Sequence, residues 1–376
     1  GYLVSDLYSS GQGLFKVPAA GGASIRIAKD GVRPHFGKGS DRVFFTKYEG
    51  ETRSLSSIGL DGRDERAHFS SKDGTEFRVS PDGQWVAFRE GFKAFIGAFA
   101  MSGQKIDLGP STSSFPVARV SKEAGEYLHW SGDSSKLYWA LGPELFERSL
   151  KDSFKFLATA ETLPELPTTG RNIGFKVEAD TPKSKIALVG ARVITMKGDT
   201  VIPDGVVVVE NNRIVAVGPR GATKVPADAK VVNVAGKTVM PGIVDVHWHG
   251  GFGTDDIVPQ RNWVMYASLG FGVTTIHDPS NDTSTVFAAA EMARAGLITA
   301  PRIFSTGTIL YGASGDFRAE INSLDDARFH LKKLKAVGAF SVKSYNQPRR
   351  EQRQQIIAAA RELGMMVVPE GGSLYN

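Results

Sequence analysis

The stretch Val239-Met-Pro241-Gly-Ile-Val-Asp-Val-His247-Trp-His249 is where the reading of this chain begins. An apolar run, Ile243 to Val246, ends on two histidines spaced i, i+2. In a strand, residues so spaced point to one side, so both imidazoles can reach a single ion. Asp245 shares that face and is placed to orient a ligand from deeper in the strand. Gly250-Gly-Phe-Gly253 then allows a close backbone approach and a sharp turn away. A bare His-x-His is a weak signal, because one core histidine beside one exposed histidine gives the same pattern. The surrounding sequence has to decide.

Downstream, strand and helix alternate. Val273 to His277 reads as a second strand, Arg302 to Ser305 as a third, Ala339 to Lys343 as a fourth and Met365 to Val368 as a fifth. Between them, Trp263 to Leu269, Thr285 to Ala295, Leu324 to Val337 and Arg350 to Leu363 carry helical periodicity. Such alternation, at roughly 25 to 40 residues per unit, marks a parallel α/β sheet or barrel, whose sites lie at the C-terminal strand ends. His247 and His249 occupy one such end, and Lys343 another. His277 and Asp278 close the second strand; as neighbours they face opposite sides, so at most one lines a cavity. Holding a ligand in place from behind suits either better than ligation. Tyr345, Tyr311 and Asp316 sit on the same mouth-side loops, candidates for touching a substrate with little to set them apart from ordinary loop residues.

Upstream, a dense β region runs from about Gly174 to Met240. Ile186 to Ile194, Gly205 to Glu210 and Asn212 to Gly218 are β-branched runs, and Glu210-Asn-Asn-Arg213 reads as a hairpin turn. The Pro- and Gly-punctuated Thr162 to Gly170 suits a linker. Before it, three segments resemble one another: Phe36 to Phe45, Ser80 to Phe88 and Ser131 to Trp139 each place a polar turn before an aromatic-rich strand. Val43 to Val86 spans 43 residues and Val86 to Leu137 spans 51. One propeller blade per repeat gives that period, because a lone four-stranded blade cannot bury both faces. Gly13 to Gly22 is a weaker echo of the closing strand of an earlier blade. A β-sandwich with coincidental turns is the competing reading.

Composition narrows the function classes. Hydrophobic content of 41% with 23% charged residues belongs to a globular chain, and 376 residues call for two or three domains. Lys+Arg 45 against Asp+Glu 40 leaves a small excess with no basic cluster, which argues against nucleic acid as a partner. No apolar run reaches the length of a membrane span. With zero cysteines, any metal must be held by His, carboxylate or a modified Lys. His35, His68 and His129 fall in the repeat region, read as structural or exposed, and His330 falls in a helix, read as solvated.

Two resemblances join these observations. Ser80-Pro-Asp-Gly83 and its two partial copies resemble the TolB-type (WD40-like) propeller repeat. The string Val-Met-Pro-Gly-Ile-Val-Asp-Val-His-x-His, following a β-rich segment and opening a strand–helix series, resembles the amidohydrolase superfamily. The fold class expected is multidomain β plus α/β. Residues 1–160 are partial propeller blades, 161–240 a linker and a small β-sandwich, and 241–376 the first five units of an incomplete (β/α)8 TIM-type barrel. The chain begins Gly1-Tyr-Leu-Val, without Met or a leader, and is expected to be cut at both ends.

The superfamily resemblance implies a metal-dependent hydrolase acting on amide, peptide or cyclic C–N bonds. It uses one or two divalent ions, zinc first, with His247 and His249 as ligands. Lys343 stands where many members carry a carboxylated lysine bridging two metals; a barrel lysine paired with a carboxylate is the competing reading. The fifth strand usually ends on a His; here Val368-Pro-Glu370 stands instead, leaving Glu370 as a ligand, a second-shell group or a substrate contact. Asp245, His277, Asp278 and Tyr345 complete the candidate set as second-shell or substrate groups. The family's general-base Asp is expected beyond the C-terminus. A small-molecule or peptide-like amide substrate is implied, a homo-oligomer is compatible, and the propeller suggests a periplasmic or secreted location. Two alternatives stay open: a catalytically silent fragment whose propeller binds a protein or peptide, and a non-hydrolytic α/β protein with an accidental His pair.

Overall fold

Strict alternation organises the N-terminal sheets. In the strand Trp85–Glu90, Trp85 and Ala87 enter one hydrophobic cluster while Val86 and Phe88 enter another. A strand buried on both faces requires a layer on either side. The computed structural model, which describes residues 2–6, 13–50, 52–159, 161–253, 257–311 and 319–371, supplies those layers. Sequential antiparallel pairing makes a three-stranded sheet from Tyr2–Asp6, Gly13–Val17 and Ile25–Ala28. Next, Val32–Phe36, Arg42–Glu49, Thr52–Gly59 and Arg66–Ser71 form a sheet extended by Ile106–Asp107, which pairs in parallel with Arg66–Ser71. Then come Gly74–Val79, Trp85–Glu90, Lys93–Ala98 and Val117–Arg119, and last Glu126–Trp130, Lys136–Leu141, Glu144–Ser149 and Arg171–Asn172.

The repeated turns match atom for atom. Ser80 Oγ donates to Asp82 Oδ1 and accepts from Trp85 N–H at 3.0 Å, while Asp82 Oδ1 also accepts from Gln84 N–H. Ser131, Asp133, Ser135 and Lys136 reproduce the set. Gly83 takes φ +70°, and in the second copy Ser134 takes φ +62° without glycine's freedom. Its hydroxyl accepts the Asp82 N–H at 3.0 Å, tying one sheet's turn to the next.

The chain divides into two compact units, the first comprising Gly1–Phe175, Ser280–Thr283 and Thr306–Asn376, the second Lys176–Pro279 and Ser284–Ser305. In the second unit, Arg213–Pro219, Val201–Glu210, Lys185–Ile194 and Lys230–Asn233 make one sheet, with Thr238–Val239 also beside Lys185–Ile194. Asn211 and Asn212 form the expected hairpin turn, both at positive φ, with Glu210 opposite Arg213. Among the described residues this region shows one sheet; a second layer, which a sandwich requires, is not among them.

The strand–helix series follows. Strand β1 is Ile243–Asp245, helix α1 Trp263–Gly270, β2 Val273–Asp278, α2 Thr283–Ala295 and β3 Arg302–Ser305. Helix α3 is Leu324–Ala336, β4 Ser341–Ser344, α4 Arg350–Leu363 and β5 Met366–Pro369. Caps explain several boundaries. Asn262 accepts from Val264 N–H, Ser323 accepts from Asp326 N–H, and Gly364 closes α4 at φ +64°. All pairings among β1 to β5 are parallel, but they form a sheet of three, β1-β2-β3, and a sheet of two, β4-β5. An isolated parallel bridge joins Leu310 to Ser344. No described helix is long and apolar enough to cross a membrane.

One expectation is overturned in α3. His330 is not solvated: it is 7% exposed. Within the first unit, Phe92 lies edge-on to its ring at 5.5 Å, and the Lys333 ammonium stands 3.7 Å from the centre of the Phe92 ring. Burial, with Lys333 and Lys93 nearby, drives the His330 imidazole down to about 3. Helical periodicity along α3 carries no information about a hairpin more than two hundred residues upstream. Of the other three histidines, His68 is buried against Ser57 Oγ at 2.7 Å, His35 Nε2 accepts the Val79 N–H, and His129 is exposed.

Candidate metal centre

Trp248 sets the geometry of the histidine pair. It is buried against Phe252, its indole N–H donates to Ser268 Oγ at 3.2 Å, and its backbone N–H donates to the His277 carbonyl at 3.1 Å. With Trp248 turned into the apolar core of Met265, Ile276, Val286 and Ile303, its two neighbours turn out. His247 and His249 are both exposed, their ring centres 5.1 Å apart and their planes at 73°. Gly250 is required here, because a Cβ on it would come within 2.2 Å of the Trp248 indole. Asp245 Oδ1 accepts the His247 backbone N–H at 3.1 Å and holds the turn that ends β1.

The end of β2 meets this pair. Asp278, with no exposed surface, places Oδ1 3.2 Å from Nδ1 of His249. His277 is half-buried and its imidazole is lowered below the ordinary range, chiefly by burial and also by His247, against a hydrogen bond to Val246 and the charge of Asp278.

Lys343 lies in the first unit, on β4, its side chain 3% exposed. Its ammonium forms a close ion pair with Glu370, the residue after β5, and lies 5.0 Å from the centre of the Tyr345 ring. Tyr345 in turn packs on Tyr311 at 5.4 Å. Arg353 on α4 donates to the carbonyls of Tyr345 and Glu370, both at 3.0 Å, and Gln347 donates to the Leu310 carbonyl. Neither Arg353 nor Gln347 stood out in the sequence; a strand-end loop facing a helical arginine is the pattern that would have drawn attention to the first. Asp316 lies outside the described residues.

The donor chemistry fits a divalent ion in part. Two outward imidazoles, one backed by a carboxylate on its other nitrogen, are what such ions take. Among the described residues no group of three or more His, Asp or Glu side chains is assembled to hold one, so the pair supplies two donors and no more.

No family model matches the chain. By sequence, 41% of it is 31% identical to the 5-methylthioadenosine/S-adenosylhomocysteine deaminase of Symbiobacterium thermophilum, covering 40% of that protein. Another alignment, 45% of the chain at 29% identity, covers 38% of the dihydroorotase of Geobacter sulfurreducens. A shorter one, 21% of the chain at 34% identity, covers 21% of the imidazolonepropionase of Yersinia pestis. The chain thus spans about two fifths or less of the curated relatives it matches. Those relatives are amidohydrolase-superfamily proteins. Among solved structures, molinate hydrolase aligns over 51% of this chain and 54% of its own, at TM-score 0.42 and 21% identity.

Proposed function

We propose that this chain carries the first metal-binding strand of a metal-dependent hydrolase of C–N bonds. The observation that carries the reading is the His247–His249 pair, held outward at the end of a parallel strand by a buried Trp248. Similarity in sequence to a deaminase, a dihydroorotase and an imidazolonepropionase supports the bond class. In this reading His247 and His249 hold the ion, and Asp245 fixes the turn that presents them. When bound there, a divalent ion, zinc by donor chemistry, supplies Lewis acidity toward a carbonyl and makes water acidic near neutral pH. The expected general-base Asp is not assigned to any residue here.

Lys343 and Glu370 admit two roles. As ligands of a second ion, they require Lys343 carboxylated and their ion pair broken. As found, the pair neutralises a buried ammonium, and that supports a structural role for both, with Tyr345 completing the wall. The N-terminal sheets we read as blades of a TolB-like propeller, whose stacking on both faces favours that over a sandwich. A propeller in the same chain as a hydrolase would screen for small or peptide-like amides.

Metal analysis of the purified full-length protein tests the reading. The expected result is stoichiometric divalent metal in the native protein. In His247→Ala the metal is lost and turnover of an amide substrate falls about a thousand-fold, several kcal/mol of transition-state stabilisation. Metal-free native protein, or a His247→Ala variant with unchanged metal and activity, would remove it.

A further inference from the structure

We infer that Asp278 is the positioning residue of the histidine pair: it fixes His249 in the tautomer that presents Nε2 to a ligand. The inference rests on the metal-site reading above and goes beyond it in assigning which nitrogen binds and what enforces the choice. Three observations carry it. Asp278 Oδ1 is 3.2 Å from Nδ1 of His249, so the neutral imidazole that donates to it has its proton on Nδ1 and its lone pair on Nε2. Asp278 is fully buried, whereas the side chain of His249 is 52% exposed, so the carboxylate contacts the ring from the core and leaves the far edge open. The third is the strand register, in which Ile276 and Asp278 lie on the same face of β2, both with no exposed surface.

A carboxylate taken wholly out of water costs several kcal/mol unless its oxygens are bonded. An apolar residue following Ile276 on that face would cap the core at no such cost. The contact to the His249 ring is one of the bonds that offset that cost. The dipeptide His277-Asp278 grips the opposite tripeptide at two points: the His277 carbonyl takes the Trp248 N–H, and the Asp278 carboxylate takes the His249 ring. Backbone and ring are both set before any ion arrives.

The test uses full-length protein freed of metal. Nitrogen-15 NMR of its histidines, with His249 assigned through a His249→Gln variant, should show His249 protonated at Nδ1. Zinc affinity, read by competition with a chromophoric chelator, should weaken about 10-fold in Asp278→Asn and about 100-fold in Asp278→Ala. The double variant Asp278→Ala/His249→Gln should bind zinc no more weakly than His249→Gln alone, which a merely structural role for Asp278 would not produce. Should Asp278→Ala fail to fold, Asp278→Asn and the NMR measurement on the wild type still decide. His249 protonated at Nε2, or unchanged zinc affinity in folded Asp278→Asn and Asp278→Ala, overturns the inference. Wild-type protein that binds no zinc overturns the hydrolase reading instead, and the tautomer still decides Asp278.

Discussion

Beyond the end of β1 the basic groups stand in the open, whereas β4 and α3 bury theirs. His247 and His249 stand exposed around a buried tryptophan. Lys343, Lys333 and His330 lie inside the first unit, each against an aromatic ring and, for Lys343, a carboxylate. Both regions follow the same strand–helix pattern, and each places a basic residue at or just beyond a strand end. The difference lies in what closes over that residue. An open imidazole keeps a lone pair for a ligand, while a buried ammonium has its charge consumed by its neighbours.

The sharpest way to break the contrast is Trp248→Ala. Removing the indole should destabilise the second unit by about 4 kcal/mol, visible in the denaturation midpoint, and should free the histidine rings from their fixed arrangement. A loss below about 1 kcal/mol would mean the pair is not held by the core.

Next come the two halves of the buried pair. Glu370→Gln leaves the Lys343 ammonium, 3% exposed, without its carboxylate and should cost about 3 kcal/mol. Lys343→Met should cost about 1 kcal/mol, because Glu370 is 35% exposed and can turn to water. Metal content of the full-length protein should not change in either. Loss of metal in both would move the pair from the structural role to the ligand role.

Of similar size to the loss in Lys343→Met is a pH dependence. Burial lowers the Lys333 ammonium from 10.5 to about 8. Between those values the unfolded chain binds the proton and the native chain does not, so stability rises with pH across the window. The gain should be about 1.5 kcal/mol between pH 8 and pH 9.5, and Lys333→Met should abolish it. Equal slopes in wild type and variant would mean that Lys333 is not desolvated as described.

Much of the local structure was legible because it is encoded locally. Helix α4 begins and ends where the period and Gly364 put it, and the Asn211–Asn212 hairpin follows from residues that tolerate positive φ. The Ser80 and Ser131 turns are alike in sequence and alike in hydrogen bonding. At the candidate site, the i, i+2 spacing does put both histidines on the side opposite Trp248. Legibility stopped where a partner comes from elsewhere. Asp245, expected to orient a ligand, holds a backbone N–H, and the carboxylate 3.2 Å from the His249 ring is Asp278, from the neighbouring strand.

The sequence by itself determined the order of strands and helices, the strand ends to within one residue, and the residue types available to a metal. The tertiary structure alone decided which of those residues are open and which are closed. It buried His330 under Phe92, paired Lys343 with Glu370, split the parallel strands into sheets of three and two, and set Asp278 behind His249. The reason is one of range. Periodicity and capping act over a few residues and can be read along the chain. Desolvation and charge pairing depend on which distant segment arrives at the same place.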